Sequence, residues 1–255
     1  MFFEKDAGPQ NGIPFFPAYD YENVNGVSVW WFEREFSQGQ YGKHAHRGTN
    51  SCTLITVLTA QKIAQGRIKT VTNSSRLPYE VVETFAKAIL DGNANYARLY
   101  NEGKLTNVNL NIPEAMEALK KLLKNLEEWF YVHTHLPVVS GYKKHASEKL
   151  FSVLRDGLDM WHMVYEDREY LFVIMIADNR SIVLCFQKST KTLTLFDSHQ
   201  HSAENGALIA QTCWKNLIKM CEWIIHMFVE IYQTRPNVFE LSFIPTKKCD
   251  SSEKS

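Results

Sequence analysis

The stretch from Met160 to Phe196 constrains the fold more than any other. Four β-branched or aromatic runs follow one another there: Met160 to Val164, Glu169 to Ala177, Ser181 to Gln187 and Thr192 to Phe196. They are broken by Asp167-Arg168, Asp178-Asn179-Arg180 and Lys188-Ser189-Thr190, all turn-forming sequences. Connections this short cannot carry the crossover that parallel strands need, so the runs predict an antiparallel meander. The first half reads differently. Val27 to Phe36 is strand-like and Gln38 to Ser51 is a polar loop. After them, Cys52 to Gln65 repeats apolar residues at helical spacing (Leu54, Ile55, Leu58, Ile63), with Gly66 as its C′ residue. Pro78 to Asn93 predicts a second helix, with Ala94 to Gly103 as a short continuation. Pro113 to Trp129 predicts an amphipathic helix with Met116, Leu119, Leu122, Leu123 and Leu126 on one face. Ser147 to Asp156 predicts a short helix, Ala203 to Tyr232 a long apolar one, and Val238 to Ile244 a last strand. Helices followed by a meander give an α+β chain, a helical lobe packed on an antiparallel sheet.

The organisation this implies is one domain over residues 27–245. An irregular, aromatic-rich arm (1–26) precedes it, with Phe2, Phe3, Phe15 and Phe16 in need of cover, and a polar disordered tail (246–255) follows. At 45% hydrophobic and 13% aromatic residues, the chain has enough apolar surface for a core, which excludes a largely disordered protein. Lys plus Arg and Asp plus Glu both number 28, so no net positive charge draws the chain to nucleic acid, and no nucleic-acid partner is expected. No apolar run approaches the ~20 residues of a membrane span, and MFFEKDAGPQ is unlike a signal peptide. These features predict no membrane association and a cytoplasmic or nuclear protein. Five scattered cysteines (Cys52, Cys185, Cys213, Cys221, Cys249) with no CxxC pair fit a reducing compartment.

Two places could carry chemistry. Cys52 follows a polar, glycine-bearing loop and opens an apolar helix. The helix dipole and the unpaired first-turn N–H groups stabilise a thiolate there, and the same N–H groups can bind an oxyanion. A small buried core residue would look the same. Leu195-Phe196-Asp197-Ser198-His199 ends the meander. If the strand continues, Asp197 and His199 share a face, and the Asp can orient the His as a base for a thiol. A turn capped by Asp197 would account for the same residues.

Taken together, an early Cys at a helix start and a late His supplied by a sheet follow the papain-like order. Cys52 with Asp197-Ser198-His199 resembles the herpesvirus tegument deubiquitinases and their cellular and transposon-borne relatives. The resemblance covers roughly Gln38 to Leu58 and Leu193 to Ile209 and leaves the middle helices unmatched. It implies a papain-like fold and cleavage after the C-terminal glycine of ubiquitin. It also implies a glutamine about a dozen residues upstream of the Cys that completes the oxyanion hole, for which Gln40 and Gln38 are the candidates. Gly206-Ala207, read as entering the last helix, adds to the likeness; the family usually has Gln or Asn close to the Cys, and here Asn50-Ser51 precede it.

The reading is therefore a thiol hydrolase with Cys52 as nucleophile, His199 as base and Asp197 orienting it. Gln40 or Gln38 joins the Cys52 N–H at the oxyanion. Asn50, His46 and His201 are candidate substrate contacts, with His201 alternatively standing behind the Asp–His pair. The implied partner is ubiquitin or a ubiquitin-like protein, and no cofactor is expected. Two alternatives stay open. One is a catalytically inactive papain-like domain serving as an interaction module. The other is a metal-dependent hydrolase built on the His-x-His pairs His44/His46, His133/His135 and His199/His201, although no metal site is assigned. Cys185, Cys213 and Cys221 are expected in the core, the last two on one helix. Trp30 and Trp31 should face opposite sides of their strand, one of them into the core.

Overall fold

A computed structural model describes residues 12–70, 75–105, 107–136 and 139–247. In chain order the elements are β1 (Tyr19–Val24), β2 (Val27–Glu33), a 3₁₀ turn (Ala45–Asn50), α1 (Cys52–Gly66), α2 (Tyr79–Asn101), α3 (Ile112–Leu119) and β3 (Phe130–His135). They continue with α4 (Tyr142–Val164), β4 (Tyr170–Ala177), β5 (Arg180–Gln187), β6 (Thr192–Asp197), β7 (Asn205–Cys213), α5 (Leu217–His226) and β8 (Val238–Pro245). The eight strands make one sheet in the order β1-β2-β7-β6-β5-β4-β8-β3, antiparallel throughout.

The chain is α+β, and its helices cover both faces of the sheet. Alternation along β4 divides the core: Phe172 and Ile174 pack with α1, α2 and α3, and Leu171, Val173 and Met175 pack with α4 and α5. Helix α1 is buried along nearly its whole length. It lies between β5 and α2, and α2 approaches it so closely that a Cβ on Gly92 would meet the Ile55 side chain at 2.4 Å and its Cα at 3.2 Å. Gly92 is thus a crossing point inside α2 and not the helix end that the sequence suggested. The two expected helices over 78–103 are one. Gly66 closes α1 from within, and Arg67 takes the left-handed conformation (φ 50°).

Four other expectations are corrected. Within the segment read as an irregular arm, Tyr19–Val24 forms an edge strand, joined to β2 by Asn25 (φ 53°) and Gly26 (φ 88°), the left-handed pair of a tight hairpin. The helix expected over 113–129 stops at Leu119. Leu123 and Leu126 still reach the same core, but Leu122 is exposed, and the chain runs on into β3, a strand that the sequence analysis leaves unassigned. Met160 to Val164 is the last turn of α4 and not a strand. Trp161 continues the buried Leu150, Leu154 and Leu158 stripe, while Met160, Met163 and Val164 are exposed. The long helix expected over 203–232 begins as β7. Ala207 and Ile209 enter one core and Leu208 and Ala210 the other, so a strand buried on both faces reads as an unbroken apolar run. Gly206-Ala207 therefore lies in a strand.

Trp30 is buried and Trp31 half-buried on the opposite face. Cys185 and Cys221 are buried, but Cys213 ends β7 and is exposed, and Cys249 lies outside the described residues. Among the described residues no helix is long and apolar enough to cross a membrane.

Candidate active site

The site lies where α1 begins and β6 ends. Ser51 precedes α1 without capping it, because its hydroxyl donates to Asn93 Oδ1 of α2 (2.6 Å). No acidic side chain occupies the first turn. The first N–H groups of α1 therefore face the site without a side-chain acceptor from the cap. The β4–β5 hairpin approaches from the sheet. Asp178 (φ 48°) and Asn179 (φ 59°) make its left-handed turn, which sets Asn179 O 4.0 Å and Ser181 Oγ 3.6 Å from Cys52 Sγ.

His199 completes the arrangement. Its Nδ1 lies 2.6 Å from Asp197 Oδ1, which also accepts the His199 backbone N–H at 3.0 Å. Strand β6 has already ended at Asp197, so the two side chains meet through an Asx turn and not through strand alternation. The capping and orienting readings of Asp197 are thus one structure. With Nδ1 turned to the carboxylate, Nε2 is the nitrogen left to face Cys52, near enough for the two groups to influence each other's ionisation.

The electrostatics favour charge separation. Burial pushes the Cys52 thiol up, but the hydrogen bond and positive charge of His199, followed by Ser181, bring it below the ordinary thiol range. Burial pushes His199 down, and Asp197 and Cys52 more than reverse this, so the imidazole holds its proton above its usual range. Asp197 is fully buried, yet the facing charges of His199 and His201 keep its carboxyl well below the carboxylate range.

Two residues brace Asp197 from behind. Tyr232 donates to Oδ2 at 2.8 Å, and His201 Nε2 lies 3.3 Å from the same oxygen and 2.8 Å from the Tyr232 hydroxyl. His201 Nδ1 donates to Gly206 O (2.7 Å), and its ring stacks on Tyr232. A Cβ on Gly206 would come within 2.4 Å of both Glu33 O and Phe36 O, which explains a glycine there. His201 is therefore buried behind the Asp–His pair and does not face solvent as a substrate contact would.

The two glutamines separate cleanly. Gln40 is exposed and its amide donates to Gln200 (3.0 Å). Gln38 is buried between the two halves of the site. It accepts from Ser198 Oγ (2.7 Å), its N–H donates to Ser198 O (2.8 Å), and its carbonyl accepts from Asn93 (2.9 Å), the residue that holds Ser51. Asn50, at the end of the 3₁₀ turn, lies beside Tyr96 of α2, and His46 is exposed on the same turn. His133 and His135 lie exposed on β3, an edge of the sheet. Among the described residues no group of three His, Cys, Asp or Glu could hold a metal ion.

Sequence reasoning missed Ser181, Thr53, Asn93, Ser198 and Tyr232. Tyr232 was hidden at the end of a helix that does not exist as drawn. The other four are small polar residues with no motif of their own.

No protein-family model matches the sequence, and no curated protein is found to match it. The chain is similar to several solved structures, two of which follow. One is the ubiquitin-specific protease encoded by the murine cytomegalovirus tegument protein M48, solved in complex with a ubiquitin-based suicide substrate. Its identity is 9% and its TM-score 0.48, over 88% of each chain. The other is the Pseudomonas avirulence protein AvrPphB, at 9% identity and a TM-score of 0.41, over 76% of this chain and 91% of that one.

Proposed function

We propose that this chain is a thiol hydrolase that cleaves ubiquitin or a ubiquitin-like protein at its C-terminal tail. One observation carries the reading: Cys52 opens a buried helix beside a histidine whose other nitrogen is held by a buried aspartate at 2.6 Å. His199 takes the Cys52 proton, and the thiolate attacks the scissile carbonyl carbon. The oxyanion forms at the start of α1, on the Cys52 N–H, with Gln38 as the assisting side chain. Gln38 is preferred to Gln40 because hydrogen bonds tie it to both halves of the site. His199 returns the proton to the leaving amine, and water, deprotonated by the same imidazole, releases the thioester as a carboxylate. His46 and Asn50 stand on the turn before the nucleophile, where an incoming tail would pass. The choice of ubiquitin rests on the sequence resemblance of Cys52 and Asp197-Ser198-His199.

The test is reaction with ubiquitin carrying a thiol-trapping electrophile at its C-terminus, on the wild type and on Cys52→Ala. The expected result is a covalent adduct that the mutant does not form. An adduct that persists in Cys52→Ala would overturn the nucleophile. A Cys52 that reacts with a small alkylating reagent but not with the ubiquitin probe would overturn the substrate. A Cys52 inert to both would leave a non-catalytic interaction domain.

A further inference from the structure

Behind Cys52 runs a line of hydroxyls that the mechanism above does not use. Cys52 Sγ lies 3.6 Å from Ser181 Oγ, Ser181 Oγ lies 2.9 Å from Thr53 Oγ1, and Thr53 Oγ1 lies 2.8 Å from Leu110 O. Both hydroxyl residues are buried. The chain joins three elements: β5 through Ser181, the first turn of α1 through Thr53, and the segment leading into α3 through Leu110.

Proton counting fixes its direction. A carbonyl oxygen only accepts, so Thr53 spends its single proton on Leu110 O. In the neutral-thiol form Ser181 must then donate to Thr53, and the Cys52 S–H donates to Ser181 in place of His199. Every member is satisfied only while the thiol is neutral. A thiolate cannot donate. When the Cys52 proton leaves for His199, Ser181 can turn its own O–H to the sulfur only if Thr53 ceases to need it. Thr53 then turns to Ser181, and Leu110 O gives up its donor. No proton enters or leaves the line; each hydroxyl rotates one place.

We propose that Ser181 and Thr53 form a proton-directing relay that positions the Cys52 proton, Ser181 favouring the thiolate and Thr53 opposing it by holding the Ser181 hydroxyl. Both are positioning residues, since they act through Cys52. The inference rests on the reading that Cys52 ionises in this site. The other titratable and charged groups around the thiol are His199 with Asp197 behind it, Tyr96 of α2, and Tyr232 with Arg180 stacked on its ring. The hydroxyls bond to each other, to Cys52 and to Leu110 O and not to these groups, so the relay is separable from them by mutation.

The experiment is the pH dependence of Cys52 alkylation by iodoacetamide, read by mass spectrometry in a Cys213→Ser, Cys249→Ser background. Ser181→Ala removes the donor, so the midpoint should rise, with reaction below it slowed roughly threefold or more. Thr53→Val frees the Ser181 hydroxyl, so the midpoint should fall. Thr53→Ser keeps the hydroxyl and should match the wild type. In the double variant Thr53→Val, Ser181→Ala the Thr53 effect should vanish, because it passes through Ser181. A loss of packing would move both single variants the same way. Shifts of equal sign, a Thr53 effect that survives in the double variant, or an unmoved midpoint in Ser181→Ala each overturn the relay. Should Thr53→Val fail to fold, the Ser181→Ala midpoint decides alone. No ubiquitin is used, so these shifts in a protein that ignores the ubiquitin probe would overturn the substrate and leave the relay standing.

Discussion

Asp197 is the residue on which the site turns, because one buried carboxylate serves His199, His201 and Tyr232 at once. Removing its charge leaves a buried imidazolium without a counter-ion, a change that costs about 3–5 kcal/mol when a buried pair loses one member. Asp197→Asn should therefore lower the melting temperature and, in the proposed reaction, reduce kcat by on the order of 10² to 10⁴, as loss of an oriented general base does. Thermal melts and turnover of a ubiquitin substrate on the same preparation check both; a stable variant with unchanged kcat would remove Asp197 from the mechanism. The pH dependence follows from His199. Its positive charge and hydrogen bond lower the Cys52 thiol against the burial that would raise it. In His199→Gln only the burial and the weaker Ser181 contacts remain, so the alkylation midpoint of Cys52 should move upward, and labelling at neutral pH should slow by about tenfold or more. A midpoint that stays in place would mean that the imidazole does not face the sulfur in solution.

At the scale of elements, β7 shows what a pattern can hide. Gly206 lies against the carbonyl oxygens of Glu33, which ends β2, and of Phe36 beyond it, and its own carbonyl fixes the His201 ring. Gly206→Ala should push β7 away from that segment at a cost of about 3 kcal/mol, a fall of roughly 5–10 °C in melting temperature for a domain this size. Calorimetry of this one variant checks it, and an unchanged melting temperature would mean that the segment yields without cost. The sequence reads Asn205 to Cys213 as helix because both faces of this strand are buried, and alternation disappears when nothing is polar. The same ambiguity makes Met160 to Val164 read as a strand, although Leu154, Leu158 and Trp161 keep the helical spacing of α4. By contrast, the Asn25-Gly26 hairpin signal was present and went unused. The meander from β4 to β6 was legible because its turns announce themselves. Cys52 and Asp197 were legible because each sits at an element end, where a side chain has a defined direction, and His199 because it follows Asp197 by two residues. Ser181 and Thr53 were not, since a serine at the start of a strand and a threonine in a helix have many uses, and only the fold brings them 2.9 Å apart.

At the scale of the whole molecule, one sheet serves two cores, and the site depends on both. Helix α1, with Cys52 at its head, rests on one face of β5, and α4 and α5 press on the other. Neighbouring residues of β5 therefore report opposite layers: Cys185 belongs to the α1 core, and Leu184, fully buried, to the α4–α5 core. Leu184→Ala opens a cavity on the side away from Cys52 and should cost about 2–5 kcal/mol. If the sheet couples the layers, that loss is felt everywhere. Unfolding should remain one transition, amides of α1 should lose protection from hydrogen exchange in step with those of α4, and Cys185, buried in the α1 core, should become alkylable at the same denaturant concentration at which α4 melts. Two transitions, with α1 keeping its protection while α4 loses it, would mean that the layers are separately stable. Cys52, at the head of α1, and His199, just beyond β6, would then be aligned by the α1 side alone.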